Sequence, residues 1–155
     1  MSTTGDPAVG YPHAEAIPAL LQPAPDDRED FAEHHVGIFL TIGSPGYPPD
    51  PDALRDRGRR MHDRCFHPVG TARQLLAISA SPDRTPALRE LDVPTLVIHG
   101  ESDPLIDVSG GRAVAAAVPG ARLLTFRGMG HDLPPDLWPV IVDEIAMHAT
   151  AADNT

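Results

Sequence analysis

Lysine is absent from this chain and cysteine occurs once. A lone Cys65 excludes an internal disulfide and a cysteine-built metal site, and it reads as a small apolar residue on a helix face. All 12 basic residues are arginine, which, beside abundant Ala, Pro and Asp, reads as nucleotide bias rather than guanidinium chemistry. No basic tract offsets a net charge of −10, so nucleic-acid phosphates would be repelled and no nucleic-acid partner is expected. The longest apolar run, 36–42, falls far short of the roughly 20 residues a membrane span needs, so no membrane partner is expected. Met1 is followed by Ser-Thr-Thr-Gly-Asp rather than by a basic and then an apolar stretch, which predicts a cytoplasmic protein. Metal-ligand spacing is missing too. His34 and His35 are neighbours and point about 100° apart on a helix, His62 and His67 straddle a helix break, and His99 ends a strand. No metal and no cofactor is expected. What remains, 155 residues with 41% hydrophobic and 22% charged, suits one soluble domain with its own core.

The chemistry is concentrated in two strings. In Pro94-Thr-Leu-Val-Ile-His-Gly-Glu-Ser-Asp103, residues 93–98 are apolar and β-branched and read as a strand buried on both faces. The chain turns at Gly100 and presents Asp103 beyond the strand's carboxyl end, where open parallel sheets carry their functional groups. Residues 108–118 read as a helix with Val114, Ala117 and Val118 on one face and Pro119-Gly120 as its stop. A second strand, 121–126, runs into Gly128-Met-Gly130, a turn that can bring His131 to the same rim as Asp103. An acid after one strand and a histidine after the next, 28 positions apart, make the Asp–His half of an acyl-transfer triad. The carboxylate fixes the imidazole tautomer and stabilises the imidazolium that forms.

"PTLVIHGESDPL" and "ARLLTFRGMGHDLP" resemble the acid loop and the histidine loop of the α/β-hydrolases. The resemblance implies Asp103 as triad acid and His131 as triad base. "MSTTGDPAVG" and "GTARQLLAI" are further similar to a subgroup of esterases like aclacinomycin methylesterase. The implied class is α/β, the C-terminal part of the hydrolase fold, with a helical cap followed by two parallel strands and flanking helices. Residues 1–4 would end a core strand, 5–85 would form the cap, and 86–155 the C-terminal part of the core. Asp6, after the earlier strand, is a rival acid with a poorer surrounding match. The family's nucleophile stands on a G-x-S-x-G elbow ahead of the acid. No such string occurs here, so no nucleophile is assigned. Ile42-Gly-Ser44-Pro-Gly46 comes nearest, but has Ile for the first Gly and lies in a turn before a Pro-rich stretch. The sources of oxyanion N–H groups are missing as well.

Within the cap, 13–22 reads as a short helix disturbed by Pro18. Residues 26–42 read as a longer one, with Asp26, Asp27, Glu29 and Asp30 at its N-terminus and Phe31, His35, Ile38, Phe39 and Ile42 on one face. A loop over 43–51 leads to a third helix, 52–65, striped with Leu54, Met61 and Cys65. Its five arginines read as a solvated face paired with Asp52, Asp56 and Asp63. A fourth helix covers 68–80. The last helix, 133–149, packs through Leu137, Val140, Ile141, Ile145 and Met147, with Trp138 either in the core, the favoured reading, or covering the histidine loop. These readings together predict a carboxylic-ester hydrolase using Ser-His-Asp chemistry, present here without its elbow and so a fragment or half-enzyme. Its expected partners are a small-molecule ester and a separate N-terminal half. The alternative is a non-catalytic remnant of the fold that binds a small molecule or a protein. An unrelated α/β domain is the third reading. Phe31, Phe39, Tyr47, Met61 and Phe66 suggest an apolar substrate body or, equally, the cap's own core.

Overall fold

A computed structural model describes residues 3–153. Its first four helices are α1 (Ala16–Leu21), α2 (Arg28–Ile42), α3 (Pro51–Cys65) and α4 (Pro68–Ala80), with no strand among the described residues before 96. Local chemistry sets their starts. Asp27 accepts the N–H groups of Glu29 and Asp30 at 2.8 and 3.1 Å and so caps α2, while Asp50 accepts from Asp52 at 2.9 Å with Pro51 as the first residue of α3. α2 and α3 pack against each other. Gly58 sits where a side chain would meet Ala32 and His35, so the buried stripe of α3 is Leu54 and Gly58. Met61 and Cys65, expected on that stripe, are exposed.

The short helix α5 (Thr85–Arg89) leads to β1 (Leu96–Gly100), α6 (Val108–Ala117) and β2 (Arg122–Phe126). β1 and β2 are parallel, in register from Leu96 opposite Arg122 to Gly100 opposite Phe126. α6, capped by Asp107, packs on this pair and against α5. A helical cap followed by two parallel strands with flanking helices is therefore the architecture. β1 starts at Leu96 and ends at Gly100 rather than spanning 93–98, because pairing begins only after Pro94, which has no N–H to donate, while β2 starts one residue later than expected and ends at Phe126 as expected. Burial on both faces is not found. Leu96, Val97 and Ile98 are half-buried, and only His99 and Gly100 are enclosed, because two strands and one helix cannot cover both faces of a sheet.

The strand end expected over 1–4 falls partly outside the described residues. Thr3 and Thr4 are irregular, with Thr4 buried and its carbonyl accepting from Arg84 N–H at 2.8 Å. After the histidine loop, a short 3₁₀ turn (Pro135–Leu137) precedes α7 (Trp138–Ala152). Leu137 and Ile141 join Met129 in a core cluster with Tyr47, Ile98 and Phe126 against it. Trp138 is not core. It is 55% exposed, and its indole N–H donates to the Leu133 carbonyl at 2.7 Å. Val140, Ile145 and Met147 are exposed too, so the apolar period of α7 exceeds what this chain covers.

Candidate active site

Asp103 and His131 meet at the carboxyl ends of β1 and β2. The loop after β1 holds the acid by its own backbone. Asp103 Oδ1 accepts the N–H groups of Leu105 and Ile106, each at 2.9 Å, and the residue is 2% exposed. Oδ2 faces His131 Nδ1 at 2.9 Å. A carboxylate only accepts, so Nδ1 carries the proton and Nε2 is the basic nitrogen. The His131 side chain is 25% exposed, enough to meet a reactant while its partner stays dry.

The histidine loop is fixed from beneath by Met129, which is fully buried, and its carbonyl accepts Ser102 N–H at 3.0 Å. Gly128 has φ +75°, where a side chain would be strained. A Cβ at Gly100 would fall 2.2 Å from the Met129 carbonyl oxygen, so only glycine lets the loop close over the strand end. Asp6, the rival acid, accepts Ala8 N–H at 2.8 Å in a local turn, and it is Asp103 that the fold brings to His131.

Three groups around the site escape a reading of the sequence. His99 is wholly buried, donates Nε2–H to the Ile106 carbonyl at 2.8 Å and lies 3.6 Å from Asp103 Oδ2. It therefore braces the acid loop. Its Nδ1 faces Gly111 with no hydrogen-bond partner. Second, Ser44 reaches the histidine loop from the cap. Third, Arg57 lies over the Phe39 ring at 4.0 Å and donates Nε–H to His35 Nε2 at 2.9 Å. Burial pushes His35 down to about 4, with the charges of Arg57 and His34 acting the same way. The single-sequence signal for His99 was its place at the strand end before the acid. Ser44 and Arg57 had none, since their partners lie far along the chain.

A cavity of about 520 Å³ opens within the cap. Phe31, Ile38, Phe39, Met61 and Leu75 line it, together with Leu105 of the acid loop. Of the aromatic residues expected there, Tyr47 instead packs in the core cluster and Phe66 stacks on His62. No group of three or more His, Cys, Asp or Glu among the described residues could hold a metal ion. No described helix is long and apolar enough to cross a membrane.

Residues 63–136 match the model of the TAP-like protein family of α/β-hydrolases. Over 97% of its length the chain is 28% identical to a rhodomycin D methylesterase of Streptomyces peucetius, and over 78% it is 28% identical to a pimeloyl-[acyl-carrier protein] methyl ester esterase of Xylella fastidiosa. It spans 50% and 48% of those proteins, about half the length of each. A Rhodococcus esterase superposes with a TM-score of 0.64 at 20% identity, covering 93% of this chain and 49% of its own. An Exiguobacterium antarcticum esterase gives 0.65 at 18%, with 88% and 47% covered. The acid and histidine loops, the parallel strand pair and these likenesses together support the C-terminal portion of an α/β-hydrolase fold.

Proposed function

We propose that this chain supplies the acid, the base and the cap of a cytoplasmic carboxylic-ester hydrolase, and that a separate N-terminal half supplies the serine and the oxyanion donors. The observation that carries the reading is the 2.9 Å contact between His131 Nδ1 and a buried carboxylate whose other oxygen is already satisfied. That arrangement leaves Nε2 free to take the proton of a serine hydroxyl as it attacks the ester carbonyl. Asp103 stabilises the imidazolium, which then protonates the departing alcohol. Water repeats the sequence through the same base and releases the carboxylate. The ester-cleaving relatives, twice as long as this chain, support both the reaction and the missing half. So do the exposed Val140, Val142, Ile145 and Met147 of α7, an apolar face of the kind a larger sheet-and-helix body covers. The apolar cavity in the cap suits a hydrophobic acyl or alcohol body.

Complementation tests this. Alone, the chain hydrolyses a p-nitrophenyl ester at the buffer rate, because its base has nothing to activate. Mixed with an N-terminal hydrolase half bearing the G-x-S-x-G elbow, it gains saturable turnover that serine acylation abolishes. Saturable turnover by the chain alone that Asp103→Asn does not slow overturns the assignment. Binding without turnover in the complemented protein favours the non-catalytic remnant.

A further inference from the structure

The turn after α2, Gly43-Ser-Pro-Gly46, comes nearest to a nucleophile string and has no part in the chemistry above. Its serine is placed badly for attack. Ser44 is 1% exposed, and its hydroxyl is engaged twice, donating to Asp132 Oδ1 and accepting Gly130 N–H at 2.9 Å. Those two partners flank His131. The amide of His131 itself donates to the Ile42 carbonyl at 2.8 Å, and Gly46 N–H donates to the Gly128 carbonyl at 2.9 Å. The last residue of α2 and the turn after it thus hold the histidine loop at four points, Gly128, Gly130, His131 and Asp132.

We propose that Ser44 is a positioning residue for His131, locking the histidine loop to the cap so that cap and imidazole move as one body. Asp103 holds the ring through one nitrogen only, which leaves the ring free to pivot about that bond unless the backbone on either side is fixed. Gly128 and Gly130 make that backbone intrinsically loose. Ser44 removes the looseness with one buried hydroxyl, since a buried N–H left unpaired is costly. The hydroxyl also occupies an oxygen of Asp132, the carboxylate next in sequence to the base. A catalytic consequence, resting on the proposed hydrolase, is that whatever presses on the cavity-lining Ile42 presses on the residue that holds the His131 amide.

Hydrogen exchange read by mass spectrometry on the full chain tests the lock without needing activity. Ser44→Ala is expected to speed exchange at the 127–133 segment about tenfold while leaving the β1 segment, 94–100, unchanged. Asp132→Ala, which leaves the Gly130 contact in place, gives the same selective loosening at smaller amplitude, and Asp132→Asn, which keeps an acceptor oxygen, behaves as the native chain. Unchanged exchange in Ser44→Ala, or equal loosening of both segments by both Ala variants, overturns the proposal. In a complemented enzyme, Ser44→Ala lowers kcat about tenfold with KM unchanged, and a rise in KM alone counts against positioning. If the native chain shows no ester turnover with any complementing half, the hydrolase reading falls while the exchange result stands by itself.

Discussion

The loops around His131 and the α2–α3 pair of the cap are both stitched by polar contacts between distant segments, but under opposite solvent conditions. Around His131 the stitches are dry. Asp103, His99 and Ser44 are all buried, and apart from His99 Nδ1 their polar atoms are spent on named partners. Across the rim of the cap pair they are wet. Arg28 bridges to Asp63 at 2.7 Å and Arg59 to Glu29 at 2.7 Å, through side chains that are partly open to water. A dry contact, once broken, leaves a group that water cannot rescue, whereas a wet one is exchanged for hydration at little loss. The same chemistry therefore positions in one region and solubilises in the other, while the cap's real joint is the apolar seam beneath its ion pairs.

The sharpest break in that contrast comes at the base. In the complemented hydrolase, His131→Ala is expected to lower kcat on the order of 10⁴-fold or more. Asp103→Asn is expected to cost a comparable factor, because an amide can donate to Nδ1 and favour the wrong tautomer. Steady-state kinetics at saturating ester measures both, and a loss below tenfold in either would place the chemistry elsewhere.

Next in size is the cap seam. A Cβ on Gly58 would lie 2.9 Å from the Ala32 Cα and 3.0 Å from the His35 Cβ, and backbone on the far side cannot swing away. Gly58→Val should lower stability by about 2–3 kcal/mol, read from urea midpoints. An unchanged midpoint would mean the two helices are not a packed unit.

His35 lies between the two regimes, buried yet lining the cap cavity. Burial, with the charges of Arg57 and His34 acting the same way, holds it near 4 against an ordinary 6.5. The unfolded chain takes up the proton at the higher pH. Stability is therefore complete above about 6.5, falls as pH drops from there towards 4, and levels off below. The loss is roughly 2 kcal/mol once solvent in the adjoining cavity is allowed for. Urea midpoints at pH 7 and 4.5 in the native chain and in His35→Gln isolate this part from the carboxylates. Equal slopes in the two proteins would show that His35 titrates normally.

How much of this was legible follows the reach of each contact. The acid and histidine loops are short strings whose own backbone and glycines shape them, so Asp103 and His131 could be paired from spacing and strand order. Helix starts were legible at Asp27 and at Pro68, where the signal is the capping or first-turn residue itself. The apolar period of α7 predicts burial of Val140, Ile145 and Met147, which are exposed because little in this chain covers that face, and Trp138, favoured as core, is exposed as well. Ser44, 86 and 88 positions from its partners, looked only like a failed elbow. The arginines of α3 were paired with nearby aspartates, yet Arg55 and Arg59 also reach across to Glu33 and Glu29 of α2, a choice that helix packing makes and periodicity does not.

The smallest expected effect closes the contrast from the wet side. Arg28 donates Nε–H and a terminal N–H to both oxygens of Asp63, at 2.7 and 2.8 Å, in the parallel geometry that makes such pairs look strong. The Asp63 carboxyl is accordingly held below its usual range, chiefly by those hydrogen bonds. Yet both side chains are about half exposed, at 43% and 52%, so water and salt offer each ion a ready substitute, and ordering two long chains offsets most of the attraction. Arg28→Ala and Asp63→Ala, alone and together, should leave the urea midpoint within experimental scatter, with any coupling between them fading as salt rises past about 0.5 M. The Ser44→Ala lock, which has no charge to screen, should keep its effect over the same range. A salt-insensitive coupling at Arg28–Asp63 as large as the seam's would mean that this rim is dry in solution and that the two regions are built alike.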